Sequence, residues 1–182
     1  MTDDGDRCEH GDACWVESQL DGYTHLHRAI LEQEPVCINC LITAGADVNQ
    51  CDQMARSPLI LAIETVSLEC VRLLLAHGAN PNTISASGMS PLHAAILHQA
   101  VDIVEELLRQ GVSPNLPNGT GLTPLHLAAM LSNIHIIRCL LAYGANPHLK
   151  DEAGDLALHH AQRHNTIEAI QLLAASTTGA DP

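Results

Sequence analysis

The chain has 182 residues, enough for one domain with a substantial buried core, and 8 Lys and Arg against 21 Asp and Glu give it a formal charge of −13. No cluster of cations interrupts that acidic background, which argues against nucleic acid and anionic membranes as direct ligands, since both need a positive footprint. With one Trp, two Tyr and no Phe, the core must be assembled from Leu, Ile, Val and Ala.

The N-terminal stretch is acidic and lacks the basic start and about 7–15 apolar residues of a secretory signal. No segment approaches the roughly 20 apolar residues of a membrane span. The chain is therefore expected to be soluble, and cytoplasmic or nuclear, with its seven cysteines as free thiols. Residues 1–19 are expected to form a mobile acidic tail, folded over the first repeat through Trp15, Val16 and Leu20 or carrying a short linear binding motif.

From residue 20 onward one pattern recurs. Thr24-His25-Leu26-His27-Arg28-Ala29, Ser57-Pro58-Leu59-Ile60-Leu61-Ala62, Ser90-Pro91-Leu92-His93-Ala94-Ala95, Thr123-Pro124-Leu125-His126-Leu127-Ala128 and Leu156-Ala157-Leu158-His159-His160-Ala161 start 33 residues apart each time. The hydroxyl residues Thr24, Ser57, Ser90 and Thr123 are N-cap candidates, with Pro58, Pro91 and Pro124 at the first helical position. A first helix is predicted to begin at each. Leu at 26, 59, 92, 125 and 158 and Ala at 29, 62, 95, 128 and 161 lie three apart on one helical face. A second helix is predicted from the apolar columns Ile38, Val71, Val104, Ile137, Ile170; Leu41, Leu74, Leu107, Leu140, Leu173; and Ile42, Leu75, Leu108, Leu141. Gly45, Gly78, Gly111 and Gly144 are placed to close those helices. The turn-rich segments Asp47–Ala55, Asn80–Gly88, Asn115–Gly121 and His148–Gly154 read as hairpin-like loops. The fifth copy lacks the cap, the Pro and the closing Gly, as expected of a terminal repeat with one solvated face.

A 33-residue period carrying T-P-L-H-x-A resembles the ankyrin repeat. That resemblance implies an all-α solenoid of stacked helix–turn–helix units with projecting hairpin loops, its repeats at 20–52, 53–85, 86–118, 119–151 and 152–175, followed by a short tail at 176–182. It also implies a non-enzymatic adaptor or competitive inhibitor, expected to be a monomer without a cofactor, that binds another protein on the concave face of repeats two to four. That face is formed by the residues just before each cap and just after each Ala pair. These positions would be polar if they met only water, yet they include Met89, Leu97, His98, Leu122, Met130 and Leu131, with Met54 and Arg56 in the second repeat. Arg56 is either an anchor for a partner carboxylate or a solvated loop residue. The bland alternative for the apolar positions is local packing. The resemblance further implies a possible asparaginyl hydroxylation at Asn49, through Leu41 and Asp47-Val48-Asn49. Stabilising the turn is the other reading of that Asn.

Chemical constellations are few. His27, His93, His126 and His159 share a column with one per repeat and resemble the family's structural His. His160 and His164 offer two ligands, too few for a zinc site. Cys37 and Cys40 have CxxC spacing, but their columns are otherwise mostly apolar, which places both thiols in the core. Cys8, His10 and Cys14 could hold a metal with a fourth ligand such as Cys51 or His25, giving a metal- or redox-responsive protein as the rival reading. Glu106 interrupts a column of Cys40, Leu73, Cys139 and Leu172 and is either partly exposed or a buried carboxylate with a partner. No phosphate loop, nucleophile elbow or HExxH is present.

Overall fold

A computed structural model describes residues 24–85 and 88–177. Its ten helices form five pairs: α1 (His25–Leu31) and α2 (Pro35–Thr43), α3 (Pro58–Glu64) and α4 (Leu68–Ala76), α5 (Pro91–Leu97) and α6 (Val101–Arg109), α7 (Pro124–Met130) and α8 (Ile134–Ala142), α9 (Ala157–Arg163) and α10 (Ile167–Thr177). The chain divides between Asn80 and Pro81 into two compact units. In the first, α1 packs on α2 and α3, and α4 packs on α2 and α3. In the second, the first helices pack in the order α5, α7, α9 and the second helices in the order α6, α8, α10, each pair also packing internally. Each unit is thus two helical layers around a shared apolar interior. Among the described residues none of the helices is long and apolar enough to cross a membrane.

Local chemistry accounts for the helix boundaries. The hydroxyls of Thr24, Ser57 and Ser90 accept hydrogen bonds from the backbone N–H of His27, Ile60 and His93, and Pro58, Pro91 and Pro124 open their helices. The second helices end just before Gly45, Gly78, Gly111 and Gly144, all at positive φ. The packed columns follow the sequence pattern. Leu26, Leu59, Leu92 and Leu125 are no more than 1% exposed, and Ile38, Val71, Val104 and Ile137 are fully buried.

Two expectations need correction, and the two readings of Glu106 are resolved in favour of a buried carboxylate with partners. Of the column Ile42, Leu75, Leu108 and Leu141, only Leu108 is buried, because these side chains lie at the edge of the layer. Cys37 is buried, but Cys40 is half-exposed, as are Leu73, Cys139 and Leu172 in its column. That column is the outer flank of the second helices. Glu106, the charged member of the column, is buried, and its carboxylate accepts bonds from Arg109 and Gln110 of its own helix and C-cap, at 3.4 and 3.2 Å.

The turn between paired helices holds a feature the sequence reading did not foresee. Gln33, Val66, Gln99, Ser132 and Asn165 all have φ of 53–54°. Five equivalent turns require the left-handed region, yet none carries the Gly that would occupy it without strain.

Candidate partner-binding surface

Two devices fix the loop that precedes each first helix. The first is a polar side chain at positions 52, 85, 118 and 151, occupied by Asp, Ser, Asn and Asp. Asp52 Oδ1 accepts the N–H groups of Met54 and Arg56, Ser85 Oγ that of Met89, Asn118 Oδ1 those of Thr120 and Leu122, and Asp151 Oδ1 those of Ala153 and Asp155, all at 2.8–3.1 Å. The backbone closes the same turns: Asp52 N–H donates to Arg56 O, Ser85 to Met89, Asn118 to Leu122 and Asp151 to Asp155. Loops in the second unit then pack tightly. A Cβ added at Gly88 would come within 2.2 Å of Gly119 N, and one at Gly121 within 2.8 Å of Glu152 N.

The second device is histidine. Ser90 N–H donates to His93 Nδ1 at 3.2 Å, so the ring proton sits on Nε2, which donates to Leu122 O at 3.2 Å. His126 repeats this with Thr123 N–H at 3.1 Å and Asp155 O at 3.1 Å, and in the first unit His27 Nε2 donates to Arg56 O at 3.0 Å. Each ring thus ties a helix start to the loop of the next repeat. Burial pushes all three below the ordinary value of 6.5, against the opposing pull of the carbonyl each one bonds. His159 Nδ1 accepts from Leu156 N–H.

On this frame, two positions vary in chemistry from repeat to repeat. The loop residue before each cap and the last residue of the first helix lie eight apart: 56 and 64, 89 and 97, 122 and 130, 155 and 163. In repeat two this pair is an ion pair, Arg56 Nη1 to Glu64 Oε2 at 3.1 Å, with the guanidinium also on Asp52 at 2.8 Å. In repeat five it is an ion pair of opposite polarity, Arg163 with Asp155. In repeats three and four it is Met89 with Leu97 and Leu122 with Met130. Leu97 is 48% exposed and Met89, Leu122, Met130 and Leu131 are half-buried, while His98 is exposed. α5 packs on α7, so the second unit presents an apolar strip built by neighbouring repeats.

The other candidate residues fall as follows. Met54, in the first unit, is 72% exposed at a loop tip. Arg56, read from sequence as either a partner anchor or a solvated loop residue, is ion-paired within the chain to Asp52 and Glu64. Asn49 has both ends of its amide in use: Nδ2 donates to Gly78 O at 3.4 Å and Oδ1 accepts Asn80 N–H at 2.8 Å. Asn115 makes the same two bonds, to Gly144 O and from Asn146 N–H. This is the turn-stabilising geometry, whether or not a hydroxylase acts there. Cys8, His10 and Cys14 lie outside the described residues.

Of the pair His160 and His164, the first is buried and the second exposed. His160 Nε2 bonds Asp151 Oδ2 at 2.8 Å, and the potential donor atoms that do cluster are those of Asp151, Asp155 and His160, within 4.8 Å of one another. That set is already engaged by Ala153 N–H, Asp155 N–H and Arg163. Burial and the nearby Glu105 push the Cys139 thiol up, away from a reactive thiolate. Cys37 Sγ donates to Glu34 Oε2 at 2.9 Å.

Asn118 is the residue that sequence reasoning passed over. Its Oδ1 holds Leu122 N–H, and its Nδ2 points to Met89 Sδ at 3.5 Å. One side chain therefore joins the two loops beneath the apolar strip. The signal was present in its column, where Asn stands between two repeats with Ser or Asp.

Stacked helix pairs with short capped turns and hydrogen-bonded loops define a repeat protein of the all-α solenoid class. The family model for ankyrin repeats, in three copies, matches residues 26–118 and again 92–182, and the chain belongs to that family. No curated protein matches the sequence. Ankyrin repeats are generally protein–protein interaction modules and typically non-enzymatic scaffolds.

Proposed function

We propose that this chain is a small adaptor or competitive inhibitor that holds a segment of another protein on the strip of Met89, Leu97, Leu122, Met130 and Leu131. One observation carries the reading. At positions where repeats two and five form ion pairs on an equivalent backbone, repeats three and four place apolar side chains that water still reaches. Exposed apolar side chains grouped in this way mark interaction surfaces, and polarizable Met suits one that adapts to its partner. His98, exposed at the C-cap of α5, stands at the rim.

Co-purification of the wild type beside a Met89→Glu, Met130→Glu double variant tests the assignment, after far-UV circular dichroism has shown both to be folded. A partner recovered only by the wild type supports the strip. Identical partners from both proteins refute it.

A further inference from the structure

Resting on that binding surface, we infer that Asn118 sets its charge preference, so that the occupant is a protein segment presenting uncharged apolar side chains to Met89 and Leu122. The column containing Asn118 shows what the alternatives do. Asp52 uses its second carboxylate oxygen on Arg56, and Asp151 uses its own on His160. Both acids have a partner within nine residues along the chain. At the positions that correspond to Arg56, Glu64 and His160 the chain following Asn118 has Leu122, Met130 and Leu127, and Asn118 itself contacts Met89 and Leu122; none of these carries charge. An Asp there would place an ionised carboxylate against a thioether with no cation supplied by those residues. The amide keeps the acceptor that holds Thr120 and Leu122 and turns a neutral N–H toward sulfur.

A neutral floor constrains what can lie on it. A partner carboxylate or ammonium placed against Met89 and Leu122 would lose water and find no opposite charge on those two side chains, which costs more than an apolar contact returns. Apolar side chains meet no such penalty and cover the exposed Leu97 and the half-buried methionines.

Random peptides displayed on phage and selected against the immobilised full-length chain test this directly. Selections against the wild type, Asn118→Asp, Asn118→Ser and the Met89→Glu, Met130→Glu variant run in parallel. Wild-type winners are expected to share an uncharged apolar core. As synthetic peptides they are expected to bind Asn118→Asp at least tenfold more weakly and Asn118→Ser within threefold, since Ser85 shows that a hydroxyl can hold this turn. Asn118→Asp itself is expected to select Lys or Arg within the core. Unchanged affinity for Asn118→Asp, or equal loss in Asn118→Ser and Asn118→Asp, overturns the charge role of Asn118 and leaves the surface standing. Peptides still bound by the methionine variant overturn the surface itself. Acidic-core winners, an absence of winners, or a wild-type dimer dissolved by the methionine substitutions overturn the proposed occupant.

Discussion

Repeats three and four and repeat five belong to one unit and share one backbone plan, yet they treat the same pair of positions in opposite ways. Asp155 and Arg163 neutralise each other, whereas Met89 with Leu97 and Leu122 with Met130 leave apolar surface in contact with water. The loop beneath is hydrogen-bonded alike in each case, through Ser85, Asn118 or Asp151. The frame therefore does not depend on what occupies the pair, and the apolar choice is available for a purpose other than folding. On the proposed function, stability and recognition are carried by separate columns of the repeat.

Substitutions should separate those columns by the size of their effect. Leu125→Ala, at a site 1% exposed between stacked helices, should cost about 2–5 kcal/mol and be read as a large fall in the urea midpoint. Leu97→Ala, at the exposed end of the neighbouring helix, should stay within about 0.5 kcal/mol. Comparable losses at both positions would erase the distinction between frame and surface.

Gly88→Ala comes next. It adds a left-handed penalty of about 1–2 kcal/mol and also drives a Cβ into the backbone of Gly119, so the loss should exceed that range. A thermal midpoint equal to that of the wild type would show that the loops are not in close contact.

The histidine devices predict a dependence on pH. His93 and His126 are held neutral, so their contribution is fully present above pH 6.5. Below it the unfolded chain takes up protons that the folded chain resists, and stability falls as pH falls. Asp52 and Asp151 lose their contribution only in a more acidic window. Burial pushes their carboxyls up, but bonds from Arg56 and from His160 and the loop amides outweigh it and leave both below the ordinary 3.8. Urea midpoints at pH 7.5 and 5.5 should differ in the wild type, and the difference should shrink in His93→Gln. An equal decline in the variant would assign the effect elsewhere.

The smallest expected effect is a gain. Val66 is a β-branched residue at φ 53°, half-exposed in the turn between α3 and α4. Val66→Asn should raise stability by up to about 1 kcal/mol by relieving that conformation. A loss on denaturant titration would mean that its side chain packs more than its 52% exposure indicates.

Much of this molecule was legible in its residues alone. Four caps, three prolines and the Leu and Ala columns located the first helices, because each records a local requirement of helix ends and packing faces. The sites were less legible. Arg56 reads as a free cation until Asp52 and Glu64 are seen to close around it, and Glu106 reads as an anomaly until Arg109 and Gln110 are placed beside it. The strained turns at 33, 66, 99, 132 and 165 left no mark, since residues as unlike as Gln, Val and Asn occupy one conformation.

By itself the sequence determined the period, the helix ends, the innermost Leu, Ala and Ile/Val columns and the identity of the apolar residues on the strip. These features come from interactions within one repeat, and five near-copies write them five times. Only the tertiary structure decided which polar groups are already spent on the chain itself, and that Asn118 joins Met89 to the backbone of Leu122. Some of those bonds, such as His93 with Leu122 and Asn118 with Met89, join residues 29 positions apart and exist only once one repeat is laid against the next. Arg56 with Asp52 and Glu64, and Glu106 with Arg109 and Gln110, are closer in sequence but depend on side-chain placement that the repeat pattern does not record.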